Sequence, residues 1–344
     1  MRYSYFKHEL KFSFDARTSR GEIKTHTAWI LRLEHQNRVA YGEAAPLKGL
    51  SIDDVPDFEI QLNTLIDLLN QGQSLEQFDL ERFPSLRFAL ETLQADFKGG
   101  GQRRLFNSEF TQGKPIPING LVWMNEPEPM LKQAREKVRD GFDVIKFKVG
   151  AHDFDAECRM LEAFRKEFSE SKVIVRLDAN GAFDADDALL KLKELKRFGI
   201  HSIEQPIQPK QGEVFSEIIA KSPLKIALDE ELIGLNPFTQ GDKLLKQLKP
   251  DFLILKPTLL GGFEYSDAWI KLAENYPIGW WATSALESNI GLNAIAQWCS
   301  CKANPLPQGL GTGSLYSNNF KSPLLVAKGQ LTYLTSENWL IPVN

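Results

Sequence analysis

From residue 116 onward the chain repeats one unit, a short apolar run followed by an amphipathic stretch, with a period of roughly 25–30 residues. The apolar runs are "IPINGLVW", "DVIKFKVG", "VIVRLDAN", "HSIEQPI", "LKIALDEE", "DFLILKP" and "IGWWATSA". Between them lie "PEPMLKQAREKVRDG", "DAECRMLEAFRKEF", "DADDALLKLKELKRFG" and "SDAWIKLAENY", whose apolar residues recur at helical spacing. Strands that alternate with helices run parallel and are joined by right-handed crossovers. Seven units, with a short eighth strand at "PQGLG", suit a closed barrel better than an open doubly wound sheet. No Gly-rich phosphate turn follows the first strand, which weakens the dinucleotide-binding alternative. An α/β barrel is expected.

The first hundred residues follow another rhythm. "YSYFKHELKFSF" and "THTAWILRLE" alternate as strands do, and the polar "DARTSRGEIK" between them reads as a mobile loop. "YGEAAPLKGLS" reads as a second loop, and residues 52–70 and 84–98 carry helical spacing (Phe58, Leu62, Leu65, Leu69; Leu86, Leu90, Leu93, Phe97). Strands followed by helices make an α+β unit. Gly99 to Gly101 and the prolines of "KPIPING" punctuate a boundary near 100–115, and "LLVAKGQLTYL" reads as a short return to the first unit. A length of 344 residues suits one large and one smaller core. The net charge of −4 argues against nucleic-acid or membrane-surface partners, because no basic excess exists to neutralise phosphates. No run approaches the roughly 20 apolar residues that span a bilayer. The three cysteines form no disulfide framework, so a reducing cytoplasm is expected, and nothing indicates an obligate protein partner.

In a parallel barrel the active site is built at the C-terminal strand ends. The second run ends in Lys146 and Lys148, the third in Asp178, the fourth in Glu204, the fifth in Asp229 and the sixth in Lys256. From Asp178 to Lys256 these residues lie 26, 25 and 27 apart, one unit each, so all face the same mouth. Taken singly, each has an ordinary explanation: a helix cap, a loop carboxylate, an acidic turn, a lysine reaching out to solvent. Five such accidents in register on consecutive strands are far less economical than one site. Three converging carboxylates repel unless a hard cation joins them, and all-oxygen ligation favours Mg²⁺, with Mn²⁺ as a substitute. A lysine on each side of that cation suits proton transfer at a carbon next to a carboxylate, so the expected ligand is a small anionic carboxylate. A neighbouring ammonium and the cation would lower a lysine pKa from about 10.4, a role assigned to Lys146 on the face it shares with Lys148.

In this order on successive strands, "KFKVG", "RLDAN", "IEQP", "LDE" and "LKP" resemble the enolase superfamily in its muconate-lactonizing branch. "YGEAAPL" is similar to that branch's capping segment. The resemblance spans nearly the whole chain. It implies an α+β capping domain over residues 1–110, completed by about 322–344, above a modified TIM barrel, (β/α)7β, of residues 111–321. It also implies that Lys148 is the base on strand two, that Lys256 is its counterpart on strand six, and that Asp178, Glu204 and Asp229 are the Mg²⁺ ligands.

Within the branch, "RLDANGAF", "SALESNIGL" and "GLGTGSLYSNN" look most like the enzymes that dehydrate 2-succinyl-6-hydroxy-2,4-cyclohexadiene-1-carboxylate to 2-succinylbenzoate in menaquinone biosynthesis. On that resemblance Lys148 removes the α-proton and then helps the hydroxyl leave, while Lys256 stays protonated and stabilises the enediolate. The alternatives are an N-succinylamino-acid racemase, or another epimerase or cycloisomerase of the branch. From a different class comes a barrel that binds a dicarboxylate or metal without turnover, which has no need of the lysine pair. No His–Asp pair marks the later strands, against a mandelate-racemase-like enzyme. Strand seven ends "WWATSALES" rather than in Asp-x-Asp, against a dipeptide epimerase. Candidate substrate contacts are Asn180, Ser284 and, if the 15–24 loop closes over the mouth, Arg20; Glu287 is either a polar group near the site or a helix-start carboxylate.

Overall fold

A computed structural model of the chain describes residues 1–18 and 21–342. The N-terminal sheet is antiparallel and built from β1 (Arg2–Thr18), β2 (Gly21–His35) and β3 (Arg38–Ala44), in the order β1-β2-β3. Helices α1 (Phe58–Asn70) and α2 (Pro84–Lys98) follow. Alternation along β2 sends Leu31 and Leu33 to one face, where they pack with Leu62, Leu65, Leu86 and Leu93 of the two helices. Ala28 and Ile30 face the other way and join Leu10, Tyr41, Trp123, Leu286 and Ile290, which puts that face on the barrel.

Two of the expected loops are strand. Pairing of β1 with β2 continues to Thr18 opposite Gly21, with a register irregularity between Lys11 and Ala16, so the polar stretch after Phe14 lengthens the hairpin instead of forming a free loop. Arg20 lies outside the described residues. Tyr41–Ala44 belong to β3, and every residue from Ala40 to Ala44 is buried. A strand covered on both faces loses the period-two signal that would mark it in a sequence.

A short strand β4 (Ile116–Pro117) leads into the barrel. Its strands are β5 (Gly120–Val122), β6 (Val144–Lys148), β7 (Ile174–Asp178), β8 (Ile200–Glu204), β9 (Lys225–Leu228), β10 (Phe252–Leu255) and β11 (Gly279–Ala282), all parallel and hydrogen-bonded in chain order. The "PQGLG" segment closes the ring. Gln308 pairs with the chain entering β5 (Gln308 N to Pro117 O, 2.8 Å; Asn119 N to Gln308 O, 2.9 Å) and Gly309 with the last strand (Gly309 N to Ala282 O, 2.7 Å).

The surrounding helices are α3 (Pro127–Arg139), α4 (Phe154–Glu167), α5 (Ala188–Leu195), α6 (Gly212–Lys221), α7 (Asp242–Leu248), the single turn α8 (Pro257–Leu260), α9 (Gly262–Glu274) and α10 (Asn289–Ser300). Local signals fix their starts: Asp153 accepts from Ala156 N at the head of α4, and Ser288 from Ile290 N at the head of α10. The terminal segment forms the hairpin β12 (Leu324–Ala327) and β13 (Gln330–Tyr333), which pairs with β4, while Trp339 and Ile341 pack at the seam of cap and barrel. Among the described residues no helix is long and apolar enough to cross a membrane.

Candidate active site

The sheet order sets the site. Alternation along β6 turns Lys146 and Lys148 into the barrel and Phe147 outward, where its ring meets Phe164 of α4 edge-on at 5.2 Å. Lys148 is in register with Asp178, and Asp178 with Glu204. Asp229 and Lys256 stand one residue past β9 and β10. Carboxylates from three adjacent strands are thus flanked by a lysine from the strand on either side.

Asp178, Glu204 and Asp229 are all buried, and each offers an oxygen within 4.8 Å of the others. Lys146 Nζ donates to Glu204 Oε2 at 2.7 Å and lies 3.4 Å from Asp178 Oδ2. Lys148 Nζ is 3.2 Å from Asp178 Oδ2 and 2.6 Å from Asn180 Oδ1. Lys256 Nζ is 2.5 Å from Asp229 Oδ2. Asn180 has a left-handed backbone (φ 45°) and also donates to Glu230 Oε1 at 3.0 Å, which fixes the amide against Lys148.

Burial opposes ionisation of Asp178, but the ammonium groups of Lys148, Lys146 and Lys256 outweigh it and hold the carboxyl below the usual carboxylate range. Burial raises Glu204 and Asp229 despite their lysine partners. Lys146 and Lys256 are raised although burial disfavours their charge, because Glu204 and Asp178 face the first and Asp229 and Glu230 the second. Lys146 therefore serves as a fixed positive charge against the carboxylates. Glu204 Oε1 is buried and has no hydrogen-bond partner among the described residues. A buried, unpartnered carboxylate oxygen beside two further carboxylates is a donor set that fits a hard divalent cation.

A cavity of about 610 Å³ is lined by these three lysines, Asp178 and Asn180, by Leu47 and Leu50 of the cap and by the wall of Ser284, Ala285 and Leu286, and it extends to Lys137, Asp140 and Phe142 around the end of α3. Ser284 faces the cavity, but its hydroxyl is engaged: it donates to Glu287 Oε2 at 2.5 Å and accepts from Thr312 Oγ1 at 2.7 Å. Glu287 lies behind the wall, buried, bonded also to Thr258 and to Ala285 N. Phe14 and Asp15 bring the β1–β2 hairpin to the rim.

Sequence reasoning missed Arg176, a fully buried guanidinium stacked 3.9 Å from the Trp281 ring and donating to Pro307 O. The signal was present, since alternation in "VRLD" puts Arg176 on the face of Asp178. It also missed the joint made by Glu43, which a loop assignment concealed.

Strand-end carboxylates between two lysines, under a cap, define a class, and the comparisons agree with it. The family model described as "Enolase C-terminal domain-like" matches residues 129–336, and the chain is a member of the enolase superfamily, whose enzymes use a divalent metal. The o-succinylbenzoate synthase of Desulfotalea psychrophila is 42% identical over 96% of this chain and 98% of that protein. The chain belongs to the o-succinylbenzoate synthase family. The crystal structure of MenC from the same organism superposes with a TM-score of 0.86 at 39% identity, covering 96% of this chain and 99% of that one. The L-Ala-D/L-Glu epimerase of Bacillus subtilis shares the fold, with a TM-score of 0.83 at 20% identity, covering 97% of this chain and 96% of that one.

Proposed function

We propose that the chain is an o-succinylbenzoate synthase, a carbon–oxygen lyase that removes water from 2-succinyl-6-hydroxy-2,4-cyclohexadiene-1-carboxylate to give 2-succinylbenzoate for menaquinone synthesis. The observation that carries this is the lysine pair flanking a buried carboxylate triad, in a chain similar over its full length to a protein of that activity. Residues 1–110 act as the cap, with Trp339 and Ile341 at its seam, and residues 111–321 act as the catalytic barrel, onto which the β12–β13 hairpin packs through β4. The substrate is a small anion, and the cytoplasm keeps the three cysteines reduced.

Asp178, Glu204 and Asp229 would hold a divalent cation, Mg²⁺ or in its place Mn²⁺, which supplies positive charge where the substrate carboxylate gains electron density. Lys148, as the free amine, takes the proton from the carbon bearing that carboxylate. Asn180 Oδ1, 2.6 Å from Nζ, aims the amine. The Lys148 ammonium then returns the proton to the C6 hydroxyl, which leaves as water from the same face while the C1–C6 double bond forms. The ring becomes aromatic, so the elimination is downhill once the proton has moved. Lys256, held charged by Asp229, faces the site from the opposite side and stabilises the enediolate. The apolar wall of Leu47, Leu50 and Leu286 excludes water from the ring.

The test is purified protein with the cyclohexadiene substrate, followed by loss of the diene absorbance with Mg²⁺ and with EDTA. Turnover with Mg²⁺ and none with EDTA is expected. Stable diene absorbance with Mg²⁺, together with racemisation of N-succinylamino acids, would replace the synthase with the racemase.

A further inference from the structure

Two buried carboxylates of the cap are plugged into the starts of two barrel helices. Glu43, on β3, accepts from Ser288 N (2.7 Å) and Gly291 N (2.7 Å) at the head of α10, and from Ser288 Oγ (2.6 Å). Glu91, on α2, accepts from Phe263 N and, at 3.4 Å, from Glu264 N at the head of α9. Each meets a glycine that leaves it room. A Cβ on Gly291 would come within 3.0 Å of Glu43 Oε2, and one on Gly262 within 2.4 Å of Glu91 Oε2. Burial pushes both carboxyls up to about 7, so their seats are tight and poorly hydrated.

The two joints differ in what they hold. Glu43 is four residues before Leu47 and anchors the segment that carries Leu47 and Leu50 over the cavity. Its partner Ser288 is four residues after Ser284 and begins the helix that follows the Ser284–Leu286 wall. Leu47 and Leu50 pack against the cluster of Ile233, Leu259 and Ala285, so the two walls that Glu43 joins share one apolar cluster. Glu91 grips α9, whose first residues line no part of the cavity.

We propose that Glu43 is a positioning residue for substrate: by bonding Ser288 and Gly291 it sets the spacing between the cap segment and the strand-seven wall, and so the shape of the cavity opposite the lysines. Glu91 is a plain docking contact. This inference rests on the cavity's being the substrate site. The catalytic lysines and the triad stand at the ends of β6 to β10, and among the described residues none of them bonds Glu43, Ser288 or Gly291, so the loss on breaking the joint falls on substrate binding rather than on proton transfer.

In Glu43→Gln an amide N–H must face a backbone N–H or the Ser288 hydroxyl. KM is expected to rise by roughly tenfold, the size of one lost charge-assisted buried hydrogen bond, with kcat held within about threefold. Glu91→Gln is expected to lower the melting temperature and leave KM unchanged. If Glu43→Gln does not fold, Ser288→Ala removes one donor and is expected to raise KM in the same direction. Hydrogen–deuterium exchange gives a readout independent of turnover: residues 45–51 and 284–291 exchange faster together in Glu43→Gln, and neither segment does in Glu91→Gln. An unchanged KM and unchanged exchange in a folded Glu43 variant would overturn the proposal, as would an equal rise in KM from Glu91→Gln. A wild-type protein with no turnover of the diene would instead end the functional reading and leave the exchange test standing.

Discussion

Lys146→Met isolates the charge balance of the site. Lys146 is 5% exposed, its ammonium is 2.7 Å from Glu204 and 3.4 Å from Asp178, and alternation along β6 turns it into the barrel at the wall of the cavity. At an effective dielectric constant of about 20, Coulomb attraction is about 6 kcal/mol at the shorter distance and about 5 kcal/mol at the longer. Desolvation of the three groups offsets most of this, and removing one partner of a buried pair costs about 3–5 kcal/mol. Methionine keeps the length of the side chain, so the loss reports charge more than packing. Without metal, the variant leaves three carboxylates facing only Lys148 and Lys256, and unfolding in urea with EDTA is expected to show a loss in that range. A divalent cation binds more tightly to a site with one positive charge fewer. Saturating Mg²⁺ is therefore expected to stabilise Lys146→Met more than the wild type and to recover part of the deficit. Urea midpoints for both proteins, each with EDTA and with Mg²⁺, give the comparison. The reasoning is refuted if the deficit is the same in both conditions, because Lys146 would then not be balancing the metal-binding carboxylates.

Lys148→Ala and Lys256→Ala are each expected to lower diene turnover by at least about a hundredfold, since general acid–base help supplies roughly 10²–10⁴ and one charge-stabilising group roughly 10²–10³. Isothermal titration with Mg²⁺ should still detect binding to both variants, and near-normal turnover by either would remove that lysine from the mechanism. His26, buried in β2 with no partner for Nε2 among the described residues, has its pKa pushed by burial down to about 4, Asp54 opposing only slightly. As pH falls below the ordinary histidine value, the unfolded chain takes up a proton that the folded one refuses. Stability present above pH 6.5 is thus lost on acidification, by roughly 2 kcal/mol between pH 7 and pH 5. In His26→Phe that slope is expected to vanish from urea midpoints measured across the range. Glu43 and Glu91 titrate in the opposite sense in both proteins and cancel from the difference.

What could be read from the sequence was whatever depends on a local period. Alternation put Lys146 and Lys148 on one face of β6 with Phe147 on the other, and a recurrence near 26 residues carried the mouth of the barrel from Asp178 to Glu204, Asp229 and Lys256. Both follow from strand geometry and crossover length, which neighbouring residues encode. Partners brought from afar were not legible. Arg176 was on the correct face by the same alternation, but nothing near it says that a guanidinium will be buried there, because the Trp281 ring and the Pro307 carbonyl that receive it lie more than 100 residues away. Glu43 sat in a motif that read as loop. Its strand is buried on both faces and so lacks a period, and its partners Ser288 and Gly291 are 245 and 248 residues on. The same division runs through function. The residues that move protons stand on a repeating frame and announce themselves by spacing, whereas the joint that shapes the pocket is a contact between two units whose sequences have no common period. Substrate choice within one superfamily can therefore change at such joints while the lysines and carboxylates on the strand ends keep their register.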